Sequence, residues 1–140
     1  MHIVDTNVLL YATNEDAPNH SRARRWLQAA LTGSETVGFA WPVLIAFIRL
    51  STHPRATRLP LTADTAIGTV RAWLGQPAAV IVEPTSRHLD VLAGLLGEVG
   101  TAGNLVNDVH LAALALEHSA TVVSFDRDFG RFAGLRFEVP

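Results

Sequence analysis

Short apolar runs centred on residues 3, 37, 80 and 122 recur along the chain, separated by stretches in which apolar residues return with helical spacing. Runs this short read as strands, and strands that alternate with helices form parallel sheets, because parallel neighbours need a crossover between them. The runs are continuously apolar rather than alternating, as expected of strands covered on both faces. The chain is therefore expected to be an α/β protein of one domain, residues 1–140, with a central parallel sheet of four to five strands and helices on both faces. At 140 residues and 49% hydrophobic residues it can build a substantial core.

Between the strands, the apolar positions Ala23, Trp26, Leu27, Ala30 and Leu31 predict a helix capped by Asn19 or Ser21. Glu35 to Ala40 is the next strand, and Trp41-Pro42 opens a further helix, since proline suits a first helical turn. From Val43 to Leu50 that helix is apolar except for Arg49, which predicts burial on most sides and leaves Arg49 either to snorkel to solvent or, the preferred reading, to meet a carboxylate. Thr62 and Thr85 are expected to cap two more helices. Gly100 to Asn104 reads as a small polar loop, followed by a strongly apolar helix from Val106 to about His118. A strand from Thr121 to Phe125, a tight acidic turn Asp126-Arg127-Asp128 and a last strand near Leu135 to Val139 close the pattern.

What the chain lacks narrows its chemistry. With no cysteine there are no disulfides, thiolate metal sites or cysteine nucleophile. All 11 basic residues are arginine, so a Walker A phosphate loop and Schiff-base catalysis are excluded, whereas arginine still offers bidentate phosphate recognition. A net charge of −2 does not advertise a nucleic-acid partner through bulk charge; such a partner would be held by a local patch or through metal. No apolar run is long enough for a membrane span and no leader pattern precedes His2, so a cytosolic protein without membrane contact is expected.

The acidic residues cluster in the pattern rather than in the sequence. Asp5 follows the first strand, Asp126 and Asp128 follow the strand at Thr121, and Asp108 lies in the first turn of the apolar helix at Val106. In a parallel sheet the carboxyl ends of strands and the amino ends of helices share one edge, where ligands bind. The four carboxylates are therefore placed to converge. Asp5 and Asp108 each admit a plainer reading as a helix cap. Capping does not explain why three separate elements should end in aspartate. Oxygen ligands without cysteine suit a hard cation, and Mg²⁺ needs only one or two carboxylates beside water and substrate phosphate. The cluster thus suggests Mg²⁺ or Mn²⁺ acting on a phosphodiester. The six histidines show no zinc-ligand spacing.

The arginines are less decisive. Arg22, Arg24 and Arg25 stand near the start of their helix, where positive charge is poorly placed for the dipole. They are either a solvated face or contacts for a partner, and Arg49 joins Arg22 and Arg25 as a candidate for substrate contact.

Three segments together, Val4 to Leu10, Asn107 to Ala115 and Val123 to Phe129, resemble the PIN domain, and specifically the VapC-type toxins of bacterial toxin-antitoxin pairs. The resemblance spans nearly the whole chain. It implies a metal-dependent endoribonuclease that cleaves RNA and is neutralised by a cognate antitoxin, in a protein that forms homodimers. It assigns Asp5, Asp108 and Asp126 to Mg²⁺ or Mn²⁺, places Asp128 close by among the catalytic acids, and gives Thr6 or Asn7 and Ser124 supporting hydrogen bonds. It also makes Arg49, Arg22 and Arg25 candidate RNA or antitoxin contacts. One departure stands out: the glutamate usual on the third helix is Ala46 here. Activity is expected to survive with weaker metal binding; the other reading is a weakened module that binds RNA or antitoxin without efficient cleavage.

Overall fold

The computed structural model describes residues 1–100 and 103–140. Residues 101 and 102 of the expected Gly100 to Asn104 loop lie outside that range; Gly100 itself ends its helix in the left-handed conformation that glycine adopts without strain. The elements follow in the order β1 (His2–Val4), α1 (Thr6–Thr13), α2 (His20–Thr32), β2 (Val37–Phe39), α3 (Trp41–Ser51), α4 (Ala63–Leu74), β3 (Ala79–Ile81), α5 (His88–Val99), α6 (Val106–Glu117), β4 (Thr121–Val123) and β5 (Arg136–Glu138). Single 3₁₀ turns occupy Gly103–Leu105 and Arg127–Arg131.

All five strands are parallel, in the order β3-β2-β1-β4-β5. The chain first steps outward from β1 to β2 and β3, then returns across the sheet to β4. Right-handed crossovers place helices on opposite faces when the direction of travel reverses. Accordingly α1 to α4 pack against one another as one layer, and α5 packs with α6 as the other. This is the architecture expected from the alternation. The reversal also creates a crevice between β1 and β4, just beyond their carboxyl ends, where open α/β sheets bind ligands.

The core is built on the central strands. Ile3, Val4, Val37, Phe39, Val122 and Val123 are all inaccessible to solvent. Gly38 has a specific reason for being glycine, since a Cβ there would come within 2.5 Å of the Val82 side chain. Above the sheet, Phe47 packs on Trp73 at 4.8 Å between ring centres. Burying each such side chain contributes about 1.5–3 kcal/mol.

Four expectations need correction. β3 is not covered on both faces: Val80 is 37% exposed, because β3 is an edge strand with only β2 beside it. α3 is not buried on most sides, since Trp41 and Ile45 lie open to solvent. Arg49 is exposed and makes no ion pair among the described residues. Thr85 does not cap α5, which begins three residues later; its hydroxyl instead donates to Glu117 on α6.

Candidate active site

Asp5 stands where β1 ends, and its backbone N–H donates to Val123 of β4 at 3.0 Å, so the tips of the two strands are tied together. The same residue is the N-cap of α1, its Oδ1 accepting from the Thr6 N–H at 2.6 Å. Its Oδ2 accepts from Asn7 Nδ2 at 2.8 Å and from the Ser124 hydroxyl at 2.7 Å. Ser124 Oγ in turn accepts from Asn7 Nδ2 and from the Asp126 N–H, each at 2.9 Å, and the Phe125 N–H donates to Asn7 Oδ1 at 3.1 Å. Every polar atom of this buried junction is used in one consistent direction. Burial nevertheless pushes the Asp5 carboxyl above its usual proton affinity; the Ser124 and Thr6 bonds oppose that rise, and the charge of Asp126 adds to it.

Beyond β4, Asp126 caps the 3₁₀ turn by accepting from the Asp128 N–H at 2.8 Å. Asp128 is exposed and pairs with Arg131 one turn later at 2.5 Å. Across the crevice, α6 begins without a side-chain cap and presents Asp108 in its first turn. The Asp108 carboxyl is half-buried, and burial together with the charges of Asp5, Asp126 and Asp128 raises its pKa to about 6, with Arg131 acting in the opposite sense. Asp108 therefore feels the charges of the other three aspartates expected at this edge. The Thr6 contribution is its backbone N–H, whereas Asn7 and Ser124 contribute side chains.

A carboxyl crowded by other acids, as Asp108 is, is relieved by a cation, and an all-oxygen set of this kind fits Mg²⁺ or Mn²⁺. Among the described residues, no three acidic or histidine side chains are already close enough to hold one ion together. A hard cation such as Mg²⁺ keeps several waters and needs only one or two direct carboxylates. Asp5, Asp108 and Asp126 are the groups that would hold it. Ala46 on α3 adds no carboxylate.

The basic residues divide. Arg22 is committed within the chain: its guanidinium lies 5.6 Å over the Phe125 ring and donates to the Pro140 carbonyl. Arg25 is exposed, without an ion pair among the described residues. Arg131, adjoining the acidic cluster, was not singled out in the sequence; its position three residues after Asp128 is the signal that marks it. Also missed was a chain of contacts behind α6. Glu117, whose side chain is fully covered, meets His88 Nδ1 at 2.5 Å, and His88 Nε2 meets His110 Nδ1 at 2.9 Å. Burial alone would raise the Glu117 pKa, but bonds from Thr85 and His88 hold it below the usual value. These contacts clamp α6 to α5 and so position Asp108.

Comparison with known proteins agrees with this geometry. The PIN domain family matches residues 2–135. The chain is 54% identical over 140 residues to Ribonuclease VapC37 of Mycobacterium tuberculosis, covering 100% of this chain and 97% of that protein. It is 42% identical over 140 residues to Ribonuclease VapC33 of the same species, covering 100% and 98%. The fold resembles that of M. tuberculosis VapC20, described as a sarcin-ricin loop cleaving toxin, with a TM-score of 0.69, 19% identity, and coverage of 97% and 99%. It also resembles VapBC2 of Rickettsia felis bound to a DNA fragment from their promoter, with a TM-score of 0.68, 20% identity, and coverage of 99% and 97%. A helix layer on each face of a parallel sheet, acidic residues gathered at its carboxyl edge, and relatives matched along the full chain lead to one conclusion: the chain belongs to the PIN-domain family, in its VapC branch.

Proposed function

We propose that this chain is a metal-dependent endoribonuclease, the toxin of a type II toxin-antitoxin pair, hydrolysing RNA phosphodiester bonds in the cytoplasm. The observation that carries the reading is the placement of Asp5, Asp108 and Asp126, on three separate elements, around one crevice, with the Asp108 pKa raised to about 6 by burial and by the charges of its acidic neighbours. Asp5, Asp108 and Asp126 are the residues that would hold Mg²⁺ or Mn²⁺. When bound, such an ion acidifies water and stabilises charge developing on a phosphate. Asn7 and Ser124 fix the direction of the Asp5 carboxylate, and the Asp126 N–H bond to Ser124 joins the two acids to one support. Asp128, through its pair with Arg131, sets the charge on the open side of the crevice. Relatives named as ribonucleases support RNA as the substrate, and VapBC complexes among the similar folds support a cognate antitoxin as partner. Arg49 and Arg25, both exposed, are free to meet either one, and a homodimer is the working assembly.

Ala46 and the open spacing of the acids favour a second reading, a weakened module that binds without efficient cleavage. One experiment separates the two: total cellular RNA incubated with antitoxin-free protein in Mg²⁺ or Mn²⁺, beside an EDTA control. Discrete metal-dependent fragments establish the nuclease, and their ends name the substrate. Intact RNA from a folded sample favours the weakened module and makes Ala46→Glu the next variant to test.

A further inference from the structure

The ends of α1 and α3 enclose a second concavity, one that the acidic crevice does not use. It holds about 470 Å³ and is walled by Tyr11, Leu50, Leu59 and Leu61, with Glu15 and Asp16 on the connection that follows α1. Its outer wall is the loop between α3 and α4. That loop is folded by its own backbone, since the Ala56 N–H donates to the His53 carbonyl at 3.0 Å and the Leu61 N–H to the Ser51 carbonyl at 2.8 Å. Leu59 is nevertheless 78% exposed, an apolar side chain that the folded loop leaves uncovered.

Tyr11 joins this pocket to the acidic crevice. It follows Asn7 by four residues on α1, about 6 Å along the helix axis, and its ring lies 5.3 Å from that of Phe125 between centres. Phe125 is flanked by Ser124 and Asp126, so an aromatic pair bridges the two hollows. A chain lying across the acids therefore continues over an aromatic surface into the pocket.

The charges say what the pocket takes. Glu15 and Asp16 are exposed and make no ion pair among the described residues, so they offer acceptors and no donors. Guanine is the base whose Watson–Crick edge carries two adjacent donors, N1–H and the N2 amino group, which the two oxygens of a carboxylate accept together. Arg55 and Arg58 stand on the loop that forms the other wall; both are exposed, without an ion pair among the described residues, and residues 52–61 contain no acid. Guanidinium groups there offset the carboxylates and suit phosphate. A nucleotide supplies donors to one wall and a phosphate to the other. A protein side chain satisfies only one of them.

We propose that this pocket takes an unpaired guanine of single-stranded RNA beside the phosphodiester to be cut. Tyr11 stacks on the base, Glu15 and Asp16 accept from its Watson–Crick edge, and Arg55 and Arg58 hold the adjoining phosphates. This deepens the ribonuclease reading and rests on it only for RNA being the ligand.

The test is fluorescence anisotropy of the full chain with labelled uridine-rich oligoribonucleotides that carry a single guanine or, in its place, adenine or inosine. EDTA is present, so binding is read without cleavage, and circular dichroism verifies the folding of each variant. Wild type should bind the guanine oligonucleotide about tenfold more tightly than the adenine one, with inosine, which lacks the amino group, in between. Glu15→Ala/Asp16→Ala should erase that preference, and Tyr11→Leu should weaken binding by about fivefold or more. Arg55→Gln/Arg58→Gln should weaken all three alike and lower the log–log salt slope by about 1.4, since each phosphate contact to a single strand contributes about 0.7. The proposal is overturned by equal binding of guanine and adenine, by a preference that survives Glu15→Ala/Asp16→Ala, or by a folded wild type that binds none of the three. It is equally overturned if these variants release co-expressed antitoxin while the RNA preference is unchanged. Cleavage of the same oligonucleotides in Mn²⁺ reports the proposed activity separately. Guanine preference without cutting leaves the pocket standing and removes the nuclease; cutting without preference does the reverse.

Discussion

Ser124 and Asp108 sit on the same edge of the sheet, yet the structure treats their surroundings in opposite ways. Around Ser124, itself inaccessible to solvent, the polar groups are part-buried and satisfied: Asp5, Asn7 and the Asp126 N–H close a network in which each donor has an acceptor. At Asp108 the carboxyl is half-buried at an uncapped helix start, faced by three other acids and countered by Arg131. One region is a scaffold that stabilises the fold. The other stores electrostatic tension that a bound cation would discharge. The difference shows how a site can hold its ligands rigidly on one side and stay responsive to charge on the other.

Removing a partner from the satisfied side should have the largest effect. Ser124→Ala removes one partner from the Asp5 carboxylate and one from Asn7 and strands the Asp126 N–H, and is expected to lower unfolding free energy by about 2 kcal/mol in urea titrations. An unchanged midpoint would show that the network does not bear on stability.

Next in size is the acid sensitivity of the tense side. A protonated Asp108 cannot serve a cation, so Mn²⁺ affinity measured by calorimetry should fall about tenfold per pH unit below pH 6. Affinity that is flat between pH 5 and 7 would separate Asp108 from the ion.

Replacing Asp108 should then act on stability in the direction opposite to Ser124. Its pKa is about 6 in the fold against 3.8 as the ordinary value, so the folded chain binds this proton more tightly. The stabilisation is complete below about pH 3.8 and is lost as pH rises through 6. Asp108→Asn should accordingly stabilise the metal-free protein above pH 6, and solvent screening at a half-exposed carboxyl holds the gain to about 1 kcal/mol. The gain should vanish below about pH 4; equal effects at pH 4 and 7 would contradict the charge argument. The smallest change belongs to Arg131→Gln, which should move the Asp108 titration upward by a few tenths of a pH unit in carbon-detected NMR.

Much of this contrast was legible in the sequence where local pattern decides it. A short apolar run ending at Asp5-Thr6-Asn7 carries both the strand and the helix start, and Asp5 caps α1 while feeling the charge of Asp126. The parallel sheet with helices on both faces followed from alternation, whereas the strand order β3-β2-β1-β4-β5 is carried by the structure alone. What local pattern does not carry is an element's neighbours. Val80 reads as buried because nothing near it in sequence says that β3 lies at the edge. Thr85 reads as a cap because its true partner, Glu117, is 32 residues away. Burial of α3 was overestimated for a related reason: apolar spacing does not distinguish a face turned to the core from one left open to solvent, and Ile45 lies on the latter.

The central claim is that aspartates from three separate elements serve one cation. It is tested most directly by titrating Mn²⁺ into wild type, Asp5→Ala, Asp108→Asn and Asp126→Asn at pH 7.5, with folding verified for each. Wild type should bind a cation, and each replacement should weaken that binding by about tenfold or more. Binding that survives all three replacements unchanged, or no binding by folded wild type, would contradict it.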